Sequence, residues 1–210
     1  MNDDNPMETI FRITFWIIFG GMIVIQTYFA TQVRLTGEQK AADRKAIERE
    51  GWRCSVVRAI RSLSLIVFLV LYAINPPWLG VLSAPFPDWI RWMGVALGVL
   101  SLVVYAWSRI TLGKEWSSPL QIREKHHLVT TGPYARIRHP IYLALMGFLT
   151  GSALITANWF VIALLVFSIV DLNLRIPKEE QMMIEEFGYE YIAYMQKTGR
   201  LLPKIIQSKN

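Results

Sequence analysis

The chain has 210 residues, of which 53% are hydrophobic and only 18% are charged, and its formal net charge is +6. An ordinary soluble domain has roughly a quarter of its residues charged, so this composition indicates a membrane protein. The basic residues fall into blocks separated by long uncharged runs. This pattern argues against a nucleic-acid-binding face and favours membrane lipids as partners. The single cysteine, Cys54, excludes an intrachain disulfide and a multi-cysteine zinc cluster.

The first half of the chain contains three uncharged stretches that suit membrane helices, each of which needs roughly twenty apolar residues. The first covers residues 13–33 and the second covers residues 63–82. The third lies between Arg91 and Arg109, where Gly94 and Gly98 offer a small-residue face for close helix packing.

The uncharged stretch at residues 140–170 is too long for a single crossing, because thirty helical residues would reach about 45 Å. It therefore predicts two helices that turn near residues 156–158. Lys and Arg are concentrated in the first, third and last polar connections and are absent from residues 75–89 and 150–159. Because positive residues favour cytoplasmic loops, the pattern predicts an all-α integral membrane protein. It would have about five transmembrane helices, an outside N-terminus and a cytoplasmic C-terminus.

Two regions follow from this topology. Residues 1–111 are expected to hold the first three transmembrane helices and a basic cytoplasmic loop at 34–61. Residues 112–210 are expected to form the functional core, which consists of a polar loop at 112–139, a helical hairpin at 140–175 and a cytoplasmic amphipathic tail helix at 177–203. The tail prediction rests on an apolar stripe with helical spacing: Ile184, Phe187, Tyr191 and Tyr194.

The segment from Leu128 to Tyr142 brings polar chemistry to the start of a membrane helix. Pro140 suits the first helical position, with His139 as the cap. The free amide groups and the positive dipole end would form an anion site, reinforced by Arg136 and Arg138. A second interpretation remains open, in which the arginines are ordinary positive-inside anchors and His139 is a simple cap.

An acidic pair, Glu179 and Glu180, follows Arg175 just beyond the last predicted span. One interpretation is that both glutamates complement the dipole at a helix start after Pro177. The other is that they close one pocket with the basic loop, since both lie at the same predicted membrane face. No metal site is expected, because the three histidines lack a grouped set of carboxylates or thiolates.

Several motifs together resemble one known family. The chain contains Leu112-Gly113-Lys114-Glu115-Trp116-Ser117, then Gly132-Pro133-Tyr134, Arg138-His139-Pro140-Ile141-Tyr142, Glu179-Glu180, Phe187-Gly188-Tyr189-Glu190-Tyr191 and Arg200-Leu201-Leu202-Pro203. This run, from about Leu112 to Pro203, resembles the isoprenylcysteine carboxyl methyltransferase family and its bacterial and archaeal relatives.

The resemblance implies an integral-membrane methyltransferase that uses S-adenosyl-L-methionine without the Rossmann fold of soluble methyltransferases. The distribution of Lys and Arg predicts that its active site faces the cytoplasm. It implies that Arg175, Glu179 and Glu180 lie near the substrate or close the pocket. The cofactor-binding residues that it implies are Gln121, His126, His127, Leu128, Val129, Tyr134, Arg138, His139, Pro140 and Ile141.

One departure concerns the methyl acceptor. In the isoprenylcysteine branch an arginine eight residues before the glycine that matches Gly113 is thought to hold the carboxylate, and that position here is Tyr105. Arg109 lies one helical turn later and could substitute. Carboxyl O-methylation of a lipophilic or lipid-linked substrate is therefore the first hypothesis, with Tyr105 and Arg109 as substrate-placing residues. The alternatives are a phospholipid N-methyltransferase, a small-thiol S-methyltransferase and, from another class, a non-catalytic membrane scaffold or a transporter.

Overall fold

The computed structural model describes residues 6–34, 52–113 and 128–204, and almost all of the regular structure in them is helical. Two short 3-10 helices cover Pro77–Leu82 and Gly132–Ala135. The only β-type pairings in the described residues are two isolated bridges, which agrees with the predicted all-α class. The α-helices are α1 (Pro6–Arg34), α2 (Trp52–Ile74), α3 (Asp88–Leu112), α4 (Pro140–Thr156), α5 (Trp159–Phe187) and α6 (Tyr189–Lys197).

Three segments are long and apolar enough to cross a membrane, namely Pro6–Gln32, Asp88–Leu112 and Trp159–Phe187. Two shorter apolar helices cover Ser62–Ile74 and Pro140–Thr156. Many large apolar side chains point outward, as expected of a surface that faces lipid. The structure thus supports an integral membrane protein, whereas the number of about five spans and the orientation stay predictions.

Aromatic side chains fill the space between the helices. Phe15 of α1 meets Tyr72 of α2 edge-on at 5.0 Å between ring centroids. Phe68 of α2 stacks on Phe160 of α5 at 5.4 Å, and Phe148 of α4 is buried in the same core. These contacts link four of the helices into one core, because offset and edge-on aromatic pairs add specific geometry to apolar burial.

Glycines allow α3 and α4 to approach closely, and among the described helices these two share the most extensive contact. A Cβ atom added at Gly94 would lie 2.9 Å from the Gly151 carbonyl oxygen. A Cβ atom added at Gly151 would lie 2.8 Å from the Gly94 carbonyl oxygen and 2.9 Å from the Gly98 nitrogen. The predicted packing role of Gly94 and Gly98 is confirmed, and it fixes α4, which carries the candidate site at its start.

Gly151→Ala should lower the free energy of unfolding by about 1–3 kcal/mol, because backbone atoms would have to move to admit the methyl group. Thermal unfolding of the purified protein in detergent measures this loss. Gly20→Ala is the matched control, since a Cβ atom there meets nothing within 4 Å and alanine favours a helix. Equal stability of the two variants would contradict the close-packing account.

The turn between α4 and α5 falls at residues 157–158, as predicted. Ala157 adopts a left-handed conformation with φ 43° and ψ 52°. The Asn158 side chain then caps α5 by accepting a hydrogen bond of 2.9 Å from the Phe160 backbone nitrogen. A side-chain oxygen of this kind satisfies one of the unpaired donors at a helix start.

The last part of the chain differs from the predicted tail helix at 177–203. Helix α5 does not stop at residue 175 but continues through Pro177 to Phe187, and the chain then breaks at Gly188, whose φ is 54°. A proline inside a helix removes one backbone hydrogen bond, but here the flanking residues keep the helix intact. Glu179 and Glu180 therefore lie within α5 and not at a helix start, so the dipole interpretation is wrong.

The first polar connection also differs from the prediction of a loop at 34–61. Helix α2 begins at Trp52, eleven residues before the predicted span at 63. Residues 35–51, which make up most of the predicted loop, lie outside the described part of the chain.

Candidate active site

Glu180 is the centre of a charged cluster at the start of α4. Its side chain is almost fully buried, with the residue 3% exposed. Arg138 Nε donates to Glu180 Oε1 at 2.8 Å, and Arg200 Nη2 donates to Glu180 Oε2 at 2.6 Å. The buried carboxylate is thus compensated by two guanidinium groups, which burial of a charge requires.

Arg138 joins three elements at this point. Besides Glu180 on α5, its Nη1 donates to the Thr198 carbonyl oxygen at 2.5 Å and to the Met195 carbonyl oxygen at 3.2 Å. The side chain therefore holds the start of α4 against α5 and against the end of α6.

The backbone after α6 pairs with the backbone before α4. Arg138 donates its amide to the Gly199 carbonyl oxygen at 2.9 Å, and His139 donates its amide to the Arg200 carbonyl oxygen at 3.1 Å. Gly199 donates in return to the Arg136 carbonyl oxygen at 3.0 Å. The C-terminal segment, residues 198–204, is in this way fixed against the backbone that precedes α4.

Glu179 has a different set of partners from its neighbour. Its Oε1 accepts hydrogen bonds from the Tyr142 hydroxyl at 2.5 Å and from Arg175 Nε at 2.9 Å. Its Oε2 lies 3.9 Å from His139 Nδ1. The two consecutive glutamates consequently organise two separate groups of side chains around one histidine.

His139 lies between the two carboxylates and caps α4 without a side-chain hydrogen bond to the helix. Its Nε2 is 3.4 Å from Glu180 Oε1, yet it makes no hydrogen bond to any of the residues that the structure describes. The ring stacks on Tyr142 with 5.7 Å between centroids. The ring is therefore held in place by stacking on Tyr142, and its Nε2 is not committed to a hydrogen bond within the described residues.

A second group surrounds the end of α3. Tyr105 and Arg109 are both buried, at 6% and 3% exposure, and lie one turn apart on the same helix face, as predicted. The Arg109 guanidinium lies 5.1 Å from the ring centroid of Phe29. Burial and the neighbouring Tyr194 raise the pKa of Tyr134, whereas the positive charge of nearby Arg109 opposes that shift. The predicted acceptor residues on α3 are thus close to the predicted cofactor residue Tyr134.

Tyr194 connects the two groups. Its hydroxyl donates to the Tyr134 carbonyl oxygen at 2.6 Å. Burial raises the pKa of Tyr194 to about 12, against a smaller opposing effect of Arg138. The hydroxyl therefore stays protonated near neutral pH. Its hydrogen bond to Tyr134 holds α6 against the 3-10 helix Gly132–Ala135.

The predicted anion site at the start of α4 stays a prediction, although some of the groups near it have partners within the chain. The amides of Arg138 and His139 are already paired with the C-terminal segment, and the Arg138 side chain holds Glu180. The physical reason is that α5 extends beyond the predicted span and carries its own carboxylates to this position. Arg136 is exposed, and its backbone amide bonds to the Pro133 carbonyl oxygen.

The other predicted cofactor residues fall into two sets. Pro140 is buried at the first position of α4, and Leu128, Val129 and Ile141 are partly buried. The remaining residues lie outside the described part of the chain: Gln121, His126 and His127. Within the described ranges, no group of three or more His, Cys, Asp or Glu side chains is arranged to hold a metal ion.

Three contributors were absent from the predicted site residues: Tyr142, Tyr194 and Arg200. In the sequence, Tyr142 stands only as the last residue of the motif Arg138-His139-Pro140-Ile141-Tyr142. A signal for Tyr194 and Arg200 did exist, because the resemblance extends through Tyr191 to Arg200-Leu201-Leu202-Pro203. Nothing in the local pattern indicated that Arg200 would meet a carboxylate 20 positions earlier.

Comparison with known proteins agrees with these motifs. A model of the isoprenylcysteine carboxyl methyltransferase (ICMT) family matches residues 92–185. Protein-S-isoprenylcysteine O-methyltransferase B of Arabidopsis thaliana is 31% identical over 120 residues, which cover 55% of this chain and 60% of that protein. The corresponding enzyme of Saccharomyces cerevisiae is 32% identical over 116 residues, which cover 52% of this chain and 48% of that protein. The chain spans about half the length of the curated relatives it matches.

Two further similarities cover more of the chain. The uncharacterized protein YpbQ of Bacillus subtilis is 26% identical over 173 residues, which cover 81% of this chain and 97% of that protein. A solved eukaryotic intramembrane Ras methyltransferase has a similar fold, with a TM-score of 0.58 at 24% identity over 91% of this chain and 68% of that chain. The family match over residues 92–185 and the curated relatives show that this part of the chain is similar to the isoprenylcysteine carboxyl methyltransferase family, and the solved structure shows a likeness of fold.

Proposed function

We propose that this protein is an S-adenosyl-L-methionine-dependent methyltransferase that acts on a lipophilic acceptor, with carboxyl O-methylation of an isoprenylcysteine-type group as its reaction. The observation that carries the proposal is the convergence of Arg138, His139 and Tyr142 with Glu179 and Glu180. These residues come from the separate motifs by which the sequence resembles the family. The distribution of Lys and Arg supports a cytoplasmic position for the cluster.

The side chains in the cluster fit the proposed cofactor. The methionine part of S-adenosyl-L-methionine carries an ammonium, a carboxylate and a sulfonium, so its site needs groups of both signs. Glu179 offers a carboxylate with 15% side-chain exposure, and His139 offers a buried ring nitrogen with no hydrogen bond in the described ranges. These two residues, with Tyr134 and Ile141, would hold the cofactor. When bound, it supplies a methyl group activated on sulfur.

The residues of the chain would act mainly by positioning. Transfer requires the acceptor atom, the methyl carbon and the sulfur to lie in line, and fixed alignment can remove several kcal/mol from a barrier. Arg109 would hold an anionic acceptor through charge-assisted hydrogen bonds. Arg175, fixed by Glu179, would carry the second positive charge at the acceptor end. A carboxylate is already a nucleophile at neutral pH, so no general base is needed.

Arg138 and Glu180 have a different function in this proposal. Their mutual bond and the bonds of Arg138 to the end of α6 hold the C-terminal segment over the site. A closed segment would exclude water from the reacting groups, which strengthens the electrostatic interactions inside. Both residues are thus positioning residues and not catalytic ones.

Incubation of the purified protein with methyl-labelled cofactor and a prenylcysteine carboxylate tests the proposal. We expect label to enter the acceptor and to be released by mild base, as an ester requires. Base-stable label in membrane extracts would contradict carboxyl methylation and indicate an amine or thiol acceptor. No transfer to any lipid fraction would contradict the enzymatic function. Glu186→Gln, an exposed change on α5, is the control variant and should keep full activity.

A further inference from the structure

A second polar cluster lies at the opposite end of α4 from the candidate active site. Arg91 on α3 donates from Nε to the Ile155 carbonyl oxygen at 2.9 Å. Ile155 is fifteen residues after Pro140, which places the two ends about 22 Å apart along a helix axis. The cluster also contains Glu8 and Arg12 from the first turns of α1 and Tyr72 from the end of α2. None of these residues has a part in the proposed methyl transfer.

The charges in this cluster do not balance. Glu8 Oε2 pairs with Arg91 Nη1 at 2.7 Å, and both side chains are largely buried. Arg12 donates from Nη2 to the Tyr72 carbonyl oxygen at 2.5 Å and lies 4.9 Å from the centroid of the Tyr72 ring. Among the residues that the structure describes, Arg12 has no carboxylate partner. Within the described residues, the cluster therefore holds two guanidinium groups but one carboxylate, which pairs with Arg91, and one positive charge is left over.

Polar atoms in the cluster are also left without hydrogen bonds. Within the described ranges, Arg12 Nη1, Arg91 Nη2 and the Tyr72 hydroxyl are buried atoms that have no hydrogen-bond partner. Arg91 is 7% exposed and Tyr72 is 2% exposed. A buried donor without a partner costs about 1–3 kcal/mol, and such groups call for an unseen ion, water or ligand as their partner. Of the three, the Arg12 guanidinium is the one that lines the neighbouring cavity, and a positively charged donor without a carboxylate partner suits an anion.

A cavity opens beside this cluster. Its volume is about 230 Å³, several times the roughly 30 Å³ that one water occupies in the liquid. Arg12 lines it directly, so the unbalanced charge is available to a ligand there. The lining residues are Glu8, Thr9, Arg12, Ile13, Trp16 and Asn75.

The surface beside the cavity is apolar. Ile13, which lines the cavity, is 55% exposed, and Ile17 one turn further along α1 is 69% exposed. These side chains lie in a helix apolar enough to cross a membrane, so acyl chains would contact them. A ligand with a charged phosphate at one end and an acyl chain at the other matches both surfaces. Guanidinium groups also suit phosphate oxygens, to which they bind in bidentate fashion.

We infer that the cavity beside Arg12 binds a phosphate group, that of a membrane phospholipid, at the membrane face opposite the candidate active site. The phosphate accepts hydrogen bonds from Arg12 and balances the charge that Glu8 leaves uncompensated, while an acyl chain follows Ile13 and Ile17. The site is independent of the methyl-transfer function, because it shares no residue with the cluster around Glu180. A bound lipid would fix α1 against α2 and α3.

Native mass spectrometry of the purified full chain in detergent tests this inference. The probes are phosphatidylglycerol, diacylglycerol with the same acyl chains, and inorganic phosphate. We expect phosphatidylglycerol to bind at least tenfold more tightly than diacylglycerol, and Arg12→Gln to reduce that affinity at least tenfold. Arg12→Lys, which keeps the charge, should keep most of the affinity. Binding of inorganic phosphate as tightly as phosphatidylglycerol, with the same Arg12 dependence, would overturn the lipid assignment and leave the free ion as the ligand.

Glu8→Gln is a second variant, which should not lower phosphate affinity as Arg12→Gln does. Removal of the carboxylate should maintain or increase phosphate affinity, because repulsion falls and the amide still accepts a bond from Arg91. Weaker binding in Glu8→Gln would instead indicate a cationic ligand and overturn the inference. Equal phosphatidylglycerol affinity in the wild type and Arg12→Gln would also overturn it.

Discussion

Glu180→Ala should lower the free energy of unfolding by about 3–5 kcal/mol, the usual range for removal of one partner from a buried ion pair. The change leaves Arg138, whose side chain is 8% exposed, without its carboxylate. Most of the loss comes from this uncompensated charge. Arg200 contributes little, because its side chain is 49% exposed and solvent screens its pair with Glu180. Chemical or thermal unfolding in detergent measures the effect.

A double-mutant cycle separates the ion pair from general damage to α5. Because Arg138→Met removes the charge that Glu180→Ala leaves unpaired, the double variant should be less destabilised than the sum of the single variants. Glu186→Ala, an exposed change on the same helix, should stay within about 0.5 kcal/mol of the wild type. Strict additivity in the cycle would contradict a direct Arg138–Glu180 interaction.

Arg109→Leu should reduce kcat/KM for a carboxylate acceptor by about 10- to 100-fold, since a hydrogen bond to a charged group contributes about 1.5–3 kcal/mol. Affinity for S-adenosyl-L-methionine should change less than twofold, because Arg109 is assigned to the acceptor side. Steady-state kinetics and a separate cofactor titration measure the two quantities. A large fall in kcat/KM with nearly unchanged cofactor affinity distinguishes a residue that holds the acceptor from one with a purely structural role.

Two variants in the same region serve as controls for Arg109. Arg109→Lys keeps the positive charge and should recover part of the lost activity. Tyr105→Phe removes only a hydroxyl from the position at which the isoprenylcysteine branch has arginine, and it should alter kcat/KM less than threefold. A large loss in Tyr105→Phe together with full activity in Arg109→Leu would show that the acceptor assignment is reversed.

The parts of the fold that the sequence predicted correctly rest on local signals. Pro140 begins α4 with His139 as its cap, because proline suits the first helical position. The turn at residues 157–158 followed from the limited length of a membrane crossing. The small-residue face at Gly94 and Gly98 was visible from spacing alone. Each of these predictions needed only residues within one or two helical turns.

The parts that the sequence did not predict depend on contacts between distant residues. Arg138 and Glu180 are 42 positions apart, and no periodicity indicates that their side chains meet. The sequence predicts a helix start at Pro177, but in the structure α5 stays helical through Pro177 to Phe187. Because α5 continues, Glu179 and Glu180 do not lie at a helix start, and their side chains line one side of the candidate site. The unbalanced charge at Arg12 was equally invisible, because it depends on where α2 ends.

The structure also changes which variants test cofactor binding. Arg138→Ala would remove the bonds that hold α4 to α5 and α6, so lost binding in that variant could result from a loosened site. The Nε2 of His139 makes no hydrogen bond within the described ranges, and the ring packs on Tyr142. His139→Ala is therefore the cleaner variant, because it removes a group that is proposed to hold the cofactor and removes neither the Arg138 bond nor the Arg200 bond to Glu180.

Titration of the detergent-solubilised protein with S-adenosyl-L-methionine tests the central claim most directly. We predict saturable binding at one site per chain, at least tenfold weaker in His139→Ala at an unchanged unfolding temperature, with Glu186→Gln binding like the wild type. Absence of saturable binding by the folded wild-type protein, or equal affinity in His139→Ala, would contradict the account.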